Sequence, residues 1–386
     1  MNDSLDLIEM QAQRALDRGL DDVGGETRWS SNRVVKRNAA PPSLRSLNAT
    51  AENHRLQSST LETSRWNGDQ PTDERRSRRR LAMLKRSGLF GQSMEATIER
   101  AQSFEDLRDA YRLVHDVYVE SGYIDPDPAG LRMRMFEATG EMATFVAKVG
   151  GKVVGVLSIA GDSPELGLPS DAAFRDELDR LRSTGARLCE WTNQVIAAEH
   201  RKSGLATELM RCAAAHVIYA EYDESIATVS PSHGSFYELL GYREVGSERS
   251  YSDTIFDPVV ALSLESARYT GGLPLRDEAA EFVRQYMAIS NPYLDHVADW
   301  DDAAEEQFGQ IETLRQLFVT ESNFIDRCLP SEWELLRERW GKNVFDAVTG
   351  RTFINTIQEW FSSLPTSNDE NSVAESRSML GLSPAT

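Results

Sequence analysis

Apolar positions along this chain repeat with two different spacings, and the switches between them mark its elements. Before about residue 92 neither spacing persists. Leu5, Ile8 and Leu16 could stripe one short helix, but Gly24-Gly25, Pro41-Pro42 and many Ser, Asn and Arg residues follow. Such a stretch gathers too little apolar surface to offset its chain entropy, so residues 1–92 are predicted to be a disordered tail. From Ser93 the pattern becomes regular. Glu95 to Arg100 predicts a first strand, and Ser103-Phe-Glu-Asp106 a capped helix start. Phe104, Leu107, Tyr111, Val114 and Tyr118 then recur at helical spacing until the Gly and Pro residues between Gly122 and Gly130 break the run. Ala143 to Val149 and Lys152 to Ile159, joined by Gly150-Gly151, predict a hairpin, because the two glycines supply the positive φ angles of a tight turn. A turn-rich link from Asp162 to Ser170 leads into a helix striped by Phe174, Leu178 and Leu181.

The stretch from Arg187 to Tyr242 is the most informative. It reads as a strand (187–197), a glycine turn (Arg201-Lys-Ser-Gly-Leu-Ala206), an apolar-striped helix to about Tyr222, a strand (225–230), then a short helix and turn (Pro231 to Tyr242). A strand followed by Arg-x-x-Gly-x-Ala places several free backbone N–H groups at a helix N-terminus, where an anion is stabilised. Beyond Gly271 the chain reads helical to about Leu364. Phe308, Ile311, Arg315 and Phe318 mark one face, with Leu314 beside it; Trp333, Leu336 and Trp340 mark another, as do Phe353, Ile357 and Trp360. That much aromatic surface must be buried, either against itself or against the preceding domain. Residues after Leu364 again predict disorder.

Length, charge and composition add to this picture. At 386 residues the chain has room for two domains. A formal net charge of −19 argues against nucleic-acid binding through the whole surface. Against that background, Arg75-Arg-Ser-Arg-Arg-Arg-Leu-Ala-Met-Leu-Lys-Arg86 stands out; it is either a solvated charge run or an electrostatic dock for an acidic carrier protein, an anionic membrane surface or nucleic acid. Cys189, Cys212 and Cys328 are far apart and without CxxC spacing, which reads as a reduced chain. The acids of Met1-Asn-Asp-Ser-Leu-Asp6 do not read as a secretory leader, and Val153 to Gly161 is too short to cross a bilayer. The expected location is the cytoplasm.

Two motifs narrow the fold. Arg201-x-x-Gly204-x-Ala206 and Phe236-Tyr237…Gly241-Tyr242, in that order around a helix and a strand, resemble the GNAT superfamily. Further segments resemble one family of GNAT relatives, the long-chain N-acyl amino acid synthases, kin of the acyl-homoserine-lactone synthases. They are Asp162-Ser-Pro…Gly167-Leu-Pro-Ser-Asp171, Glu177-Leu-Asp…Leu181-Arg…Gly185, Glu190, Val229-Ser-Pro-Ser-His233 and Arg249-Ser-Tyr251…Pro258 to Leu262. Tyr242 stands where that family usually has Phe. The likeness covers roughly residues 95–265. It implies an α+β fold, a mixed and mostly antiparallel central sheet flanked by helices at 93–268. A helical region at 269–364 follows, with disordered tails at 1–92 and 365–386.

The resemblance also implies a chemistry: transfer of an acyl group from acyl-CoA or an acyl-carrier protein to the amine of an amino acid, with no permanently bound cofactor and no metal. Donor binding falls to Ile196, Arg201, Lys202, Ser203, Gly204, Leu205 and Ala206, with an oxyanion donor among the N–H groups of Gln194 to Ile196. Glu190 is a general base or amine binder, although alternation with Leu188 and Thr192 also allows an outward-facing Glu. Tyr237 either protonates the leaving thiolate or is a core aromatic beside Phe236. His233 either touches the donor or substrate or caps the following helix. Two other readings stay open, a short-chain acetyl-CoA N-acetyltransferase and a silent acyl-binding scaffold. The chain has no Gly-x-Ser-x-Gly, no phosphate-loop Gly-Lys-Ser/Thr and no His-Glu-x-x-His.

Overall fold

The structure is a computed structural model that describes residues 74–86, 90, 95–101, 103–122, 124–201, 203–251, 258–271, 277–301 and 310–350. Seven strands form one sheet in the order β1-β2-β3-β4-β5-β7-β6. They are β1 (Thr97–Arg100), β2 (Met142–Val149), β3 (Lys152–Gly161), β4 (Leu188–Ile196), β5 (Glu224–Val229), β6 (Arg243–Ser250) and β7 (Pro258–Glu265). Neighbours run antiparallel except β4 and β5, which are parallel. The expected α+β class with a mixed, mostly antiparallel sheet is what forms. The β2–β3 hairpin pairs Val149 with Lys152, and Gly150 and Gly151 take φ of 58° and 82° as their sequence requires.

Helices cover both faces. On one lie α2 (Phe104–Glu120) and α4 (Asp171–Arg182); on the other lie α5 (Leu205–Tyr219) and α6 (Gly234–Leu240). Alternation along β2 shows the division: Phe145 and Ala147 pack toward α5, Val146 toward α2. The Ser103 side chain caps α2, accepting from the Asp106 N–H at 3.1 Å. Among the described residues no helix is long and apolar enough to cross a membrane.

The C-terminal region wraps both faces. After the single turn α7 (Ala267–Thr270), α8 (Glu278–Arg284) and the π-helical turn after it bring Ala279, Val283 and Met287 into the core under α5. Farther on, α9 (Ile311–Arg315) and the π-helical turn after it, then α10 (Phe324–Arg327), α11 (Pro330–Trp340) and α12 (Lys342–Thr349), bring Leu314, Phe318, Phe324, Trp333, Leu336 and Phe345 into the core around α2. Asp301, between the two groups, is held by Arg100 of edge strand β1 and by His216 of α5, whose Nδ1 lies 2.9 Å away. The face expected around Phe308, Ile311, Arg315 and Phe318 is rotated. Ile311 is exposed, whereas Leu314, Leu317 and Phe318 are buried, because residues 316–321 wind as a π-helix and shift the register by part of a turn. Phe308 and the stripe Phe353, Ile357 and Trp360 lie outside the described residues.

One expectation needs correction. Within the stretch assigned to a disordered tail, α1 (Glu74–Arg86) is a helix, with Leu84 buried in the α5-side core. Its apolar content is too small to hold a helix alone, so polar contacts supplied by distant chain add the rest. Ser77 Oγ donates to Asp277 Oδ1 at 2.8 Å, and Arg80 donates to Asp277 Oδ2 at 2.9 Å and to the Glu238 carbonyl at 3.0 Å. Asp277 at the same time caps α8 through the N–H groups of Ala279 and Ala280. The rest of residues 1–92, apart from Phe90, lies outside the described residues, as do 365–386.

Candidate functional site

Among the described residues one strand pair is parallel, and it is a short one. β4 and β5 pair at Leu188↔Glu224, Cys189↔Ser225 and Glu190↔Ile226 and no farther. From Trp191 on, β4 follows β3, while β5 follows β7 from Ala227 to Val229. The two strands therefore part just beyond Glu190, and their carboxyl ends form the arms of a fork. Each predicted group sits on one arm. β4 ends at Ile196 and leads into the turn at Arg201 to Ala206; β5 ends at Val229 and leads into His233 and α6, which carries Tyr237. Ligands in open sheets settle outside strand carboxyl ends at such a split.

A bulge shapes the β4 arm. Thr192 pairs with Ser158 but Val195 pairs with Val156, so β4 carries one extra residue there. Asn193 absorbs it with φ of 54°, a conformation Asn tolerates better than most residues. Its amide is fixed beneath the sheet: Nδ2 donates to Glu137 Oε1 at 3.2 Å, and Oδ1 accepts from Arg134 Nη2 at 3.2 Å. Arg134 and Glu137 form a buried ion pair at 2.8 Å. The bulge breaks the ladder at Asn193 and Gln194, next to the N–H groups expected to face an oxyanion.

Glu190 is fully buried, which rules out the outward-facing reading. Its Oε2 accepts from the Ser170 N–H at 2.8 Å, and its Oε1 has no hydrogen-bond partner among the described residues; the Ser170 hydroxyl, which bonds to Thr228, also favours the charged carboxylate. Burial pushes its pKa up to about 7 against the pull of those Ser170 bonds and of Arg134, with Asp171 adding to the rise. A carboxyl in that state exchanges a proton near neutral pH.

The turn after β4 has the local form its sequence implies. Gly204 caps α5 with φ of 82°, and Arg201 Nε reaches back to the Ile196 carbonyl at 3.3 Å. The first N–H groups of α5 are left without intrahelical partners. Lys202 lies outside the described residues. On the other arm His233 is buried, its Nε2 has no partner among the described residues, and burial lowers its pKa to about 4, so the imidazole is neutral. It makes no side-chain cap to α6, contrary to one of its two readings. Tyr237 is half-buried, edge-on to Phe236 at 5.6 Å and to Tyr242 at 5.2 Å. Trp191 Nε1, Gln194 Nε2, Arg201 Nη2 and Tyr242 Oη are likewise buried without partners among the described residues. Buried polar atoms normally find partners, so the group of unpartnered ones on the fork elements makes the fork the candidate site. Ser170, Thr228, Arg134, Glu137 and Asn193 were not singled out as site residues from the sequence. Apart from the Arg134–Glu137 pair, three residues apart, their partners are 20 to 59 residues distant, beyond any local pattern.

Residues 109–265, from within α2 to the last residue of β7, match the family model described as N-acyl amino acid synthase FeeM. The span is under half of the chain but contains both arms of the fork. Similar solved structures include FeeM, an N-acyl amino acid synthase from uncultured soil microbes (24% identity over 44% of this chain and 90% of that one, TM-score 0.40). Others are the CoA-dependent acyl-homoserine lactone synthase BjaI with SAM and isopentyl-CoA (16%, 53% and 99%, TM-score 0.36) and a GNAT-family acetyltransferase from Streptococcus pneumoniae (16%, 44% and 99%, TM-score 0.33). No curated protein matches the sequence. The match over residues 109–265 spans β2 to β7 of the forked sheet and makes this part of the chain similar to the N-acyl amino acid synthases, an acyltransferase family.

Proposed function

We propose that this domain moves a long-chain acyl group from an acyl-CoA or acyl-carrier-protein thioester to the amine of an amino acid. The observation that carries the reading is Glu190: a fully buried carboxyl poised near pH 7, with one free oxygen, where β4 and β5 part. Donor phosphates or pantetheine amides meet the N–H groups of residues 203–206, with Arg201 adding charge. The thioester oxygen meets the bulge near Gln194, whose N–H stabilises the oxyanion as the amine attacks. Glu190 takes the amine proton. Tyr237 returns a proton to the leaving thiolate. Neutral His233 offers a hydrogen bond to the donor. Cys189 takes no part as a nucleophile, since burial pushes its thiol up to about 12.

Mass spectrometry of lipid extracts from cells overexpressing the full chain tests this, because a new acyl-amino acid identifies both halves at once. Competition between acetyl-CoA and palmitoyl-CoA then decides the acyl class. The intact Arg201-x-x-Gly204-x-Ala206 turn suits CoA, and faster transfer from acetyl-CoA would turn the assignment to a short-chain N-acetyltransferase. Tight donor binding with no product on any amine would leave an acyl-binding scaffold.

A further inference from the structure

Glu190 has no exposed surface, and Ser170 occupies its Oε2. A base so enclosed needs a path to its substrate. Ser170 supplies the first step and Thr228 the second: the Ser170 and Thr228 hydroxyls hydrogen-bond to each other. Thr228 lies on β5 two residues past Ile226, the last β5 residue to pair with β4, and at 3% exposure it is the member of the Glu190–Ser170–Thr228 series that keeps some surface, at the stretch of β5 where the fork has opened. Three groups fix Ser170 at this point. Asp171 Oδ2 accepts from the Leu168 N–H at 2.7 Å, Arg182 grips Asp171 at 2.6 Å and Asp162 at 2.8 Å, and Tyr251 donates to the Pro169 carbonyl at 2.6 Å. Two hydroxyls in a row beside a buried carboxylate, on a loop clamped from both ends, form a built chain.

We propose that Thr228 and Ser170 relay the amine proton to Glu190. This rests on the acyl-transfer reading and adds its proton path. Thr228 Oγ1 accepts the proton from the attacking nitrogen as its own hydroxyl proton passes to Ser170 Oγ, and the Ser170 proton passes to Glu190 Oε2. One N–H bond is broken and one carboxyl O–H is formed; both hydroxyls end as they began, turned to face the other way. Thr228 touches the substrate, whereas Ser170 acts through its neighbours. The other charged groups acting on Glu190 are Arg134, ahead of the short helix α3 (Met135–Ala138), and Asp171 at the start of α4. Its strand partners Ala160 and Ile226 have no titratable side chain.

The first test needs no amine. Infrared titration of the donor-free full chain follows the Glu190 carboxyl stretch, identified by its absence in Glu190→Gln. In the relay Thr228 donates to Ser170 and Ser170 to the carboxylate, so both bonds favour the charged form. Ser170→Ala and Thr228→Val should each move the midpoint upward, by about half a unit to one unit, and Thr228→Ser should restore it. A midpoint unmoved in Thr228→Val breaks the chain, whatever the enzyme's substrate. The second test is turnover of palmitoyl-CoA with the twenty common amino acids. Ser170→Ala, Thr228→Val and the double variant should lose kcat by the same factor, ten or more, because one gap stops the relay as well as two. Additive losses point to packing and overturn the relay, as does full turnover in Thr228→Val. Should Glu190→Gln also turn over fully, the base assignment falls together with the relay, a result distinct from the loss of the relay alone.

Discussion

Glu190 keeps a proton in the folded chain at a pH where the unfolded chain has lost it. Its pKa rises from the ordinary 4.5 to about 7 chiefly because burial penalises the charge. Folding therefore binds a proton between those two values, and stability falls as pH rises through them. Above the folded pKa the whole cost of an ionised buried carboxyl is present; below 4.5 none is. Glu190→Gln keeps an acceptor for the Ser170 N–H and removes the charge. It should raise the unfolding free energy by about 1–3 kcal/mol at pH 8 and by much less at pH 5, read from urea titrations at the two pH values. The same variant should lose at least a hundredfold in turnover, while wild-type activity climbs through pH 7 as the carboxyl ionises. A variant stabilised equally at both pH values would show that the gain comes from packing. Stability rising while activity vanishes is the mark of a residue held for chemistry.

Between β4 and α5 the backbone rather than a side chain is the working part, and Gly204 shows it. With φ of 82° it occupies a region where a Cβ costs about 1–2 kcal/mol. Gly204→Ala should tilt the first N–H groups of α5 and raise KM for palmitoyl-CoA about five- to thirtyfold with kcat nearly unchanged. A change in kcat alone would separate the turn from donor binding. The glycines that show this turn and the β2–β3 hairpin are visible in the sequence because their conformational demand is local, as is the Ser103 cap of α2. Glu190 was conspicuous too, a carboxylate amid strand residues. Other elements left no such trace. β6 is a polar edge strand whose register with β7 shifts twice, so it shows no clean alternation. The bulge at Asn193 depends on Arg134 and Glu137, which arrive from another part of the chain. α1 is a run of arginines until Asp277 and the α5-side core give it somewhere to dock. Leu84→Ala should therefore lower unfolding free energy by about 2–4 kcal/mol, a loss no residue of a disordered tail could cause. Chemical denaturation checks it, and no change would return α1 to the tail.

At the scale of the molecule, segments outside residues 93–268 complete two of the fork domain's apolar clusters. The family match ends at residue 265, yet Leu314, Phe318, Trp333, Leu336 and Phe345 share one apolar cluster with Tyr111, Val114, Val117 and Tyr118 of α2. Trp340 Nε1 donates to the Ala138 carbonyl at 2.8 Å, and Arg339 pairs with Glu141 at 3.0 Å, so the C-terminal helices are tied to the chain that leads into β2. On the opposite face Ala279, Val283 and Met287 lie under α5, beside Leu84 from before the domain. A fragment spanning 93–268 would lose all of these. Each large apolar side chain is worth roughly 1.5–3 kcal/mol when fully buried, so five of them contribute on the order of 10 kcal/mol. A whole domain is stable by only about 5–15 kcal/mol. The fragment should therefore aggregate or lack a cooperative unfolding transition, where the full chain shows one by calorimetry and elutes cleanly by size-exclusion chromatography. A monomeric fragment that unfolds cooperatively would mean the added helices are ornaments on a complete domain. If it does not fold, they are part of what keeps β4 and β5 at the spacing where Glu190, the bulge and the Gly204 turn face one another.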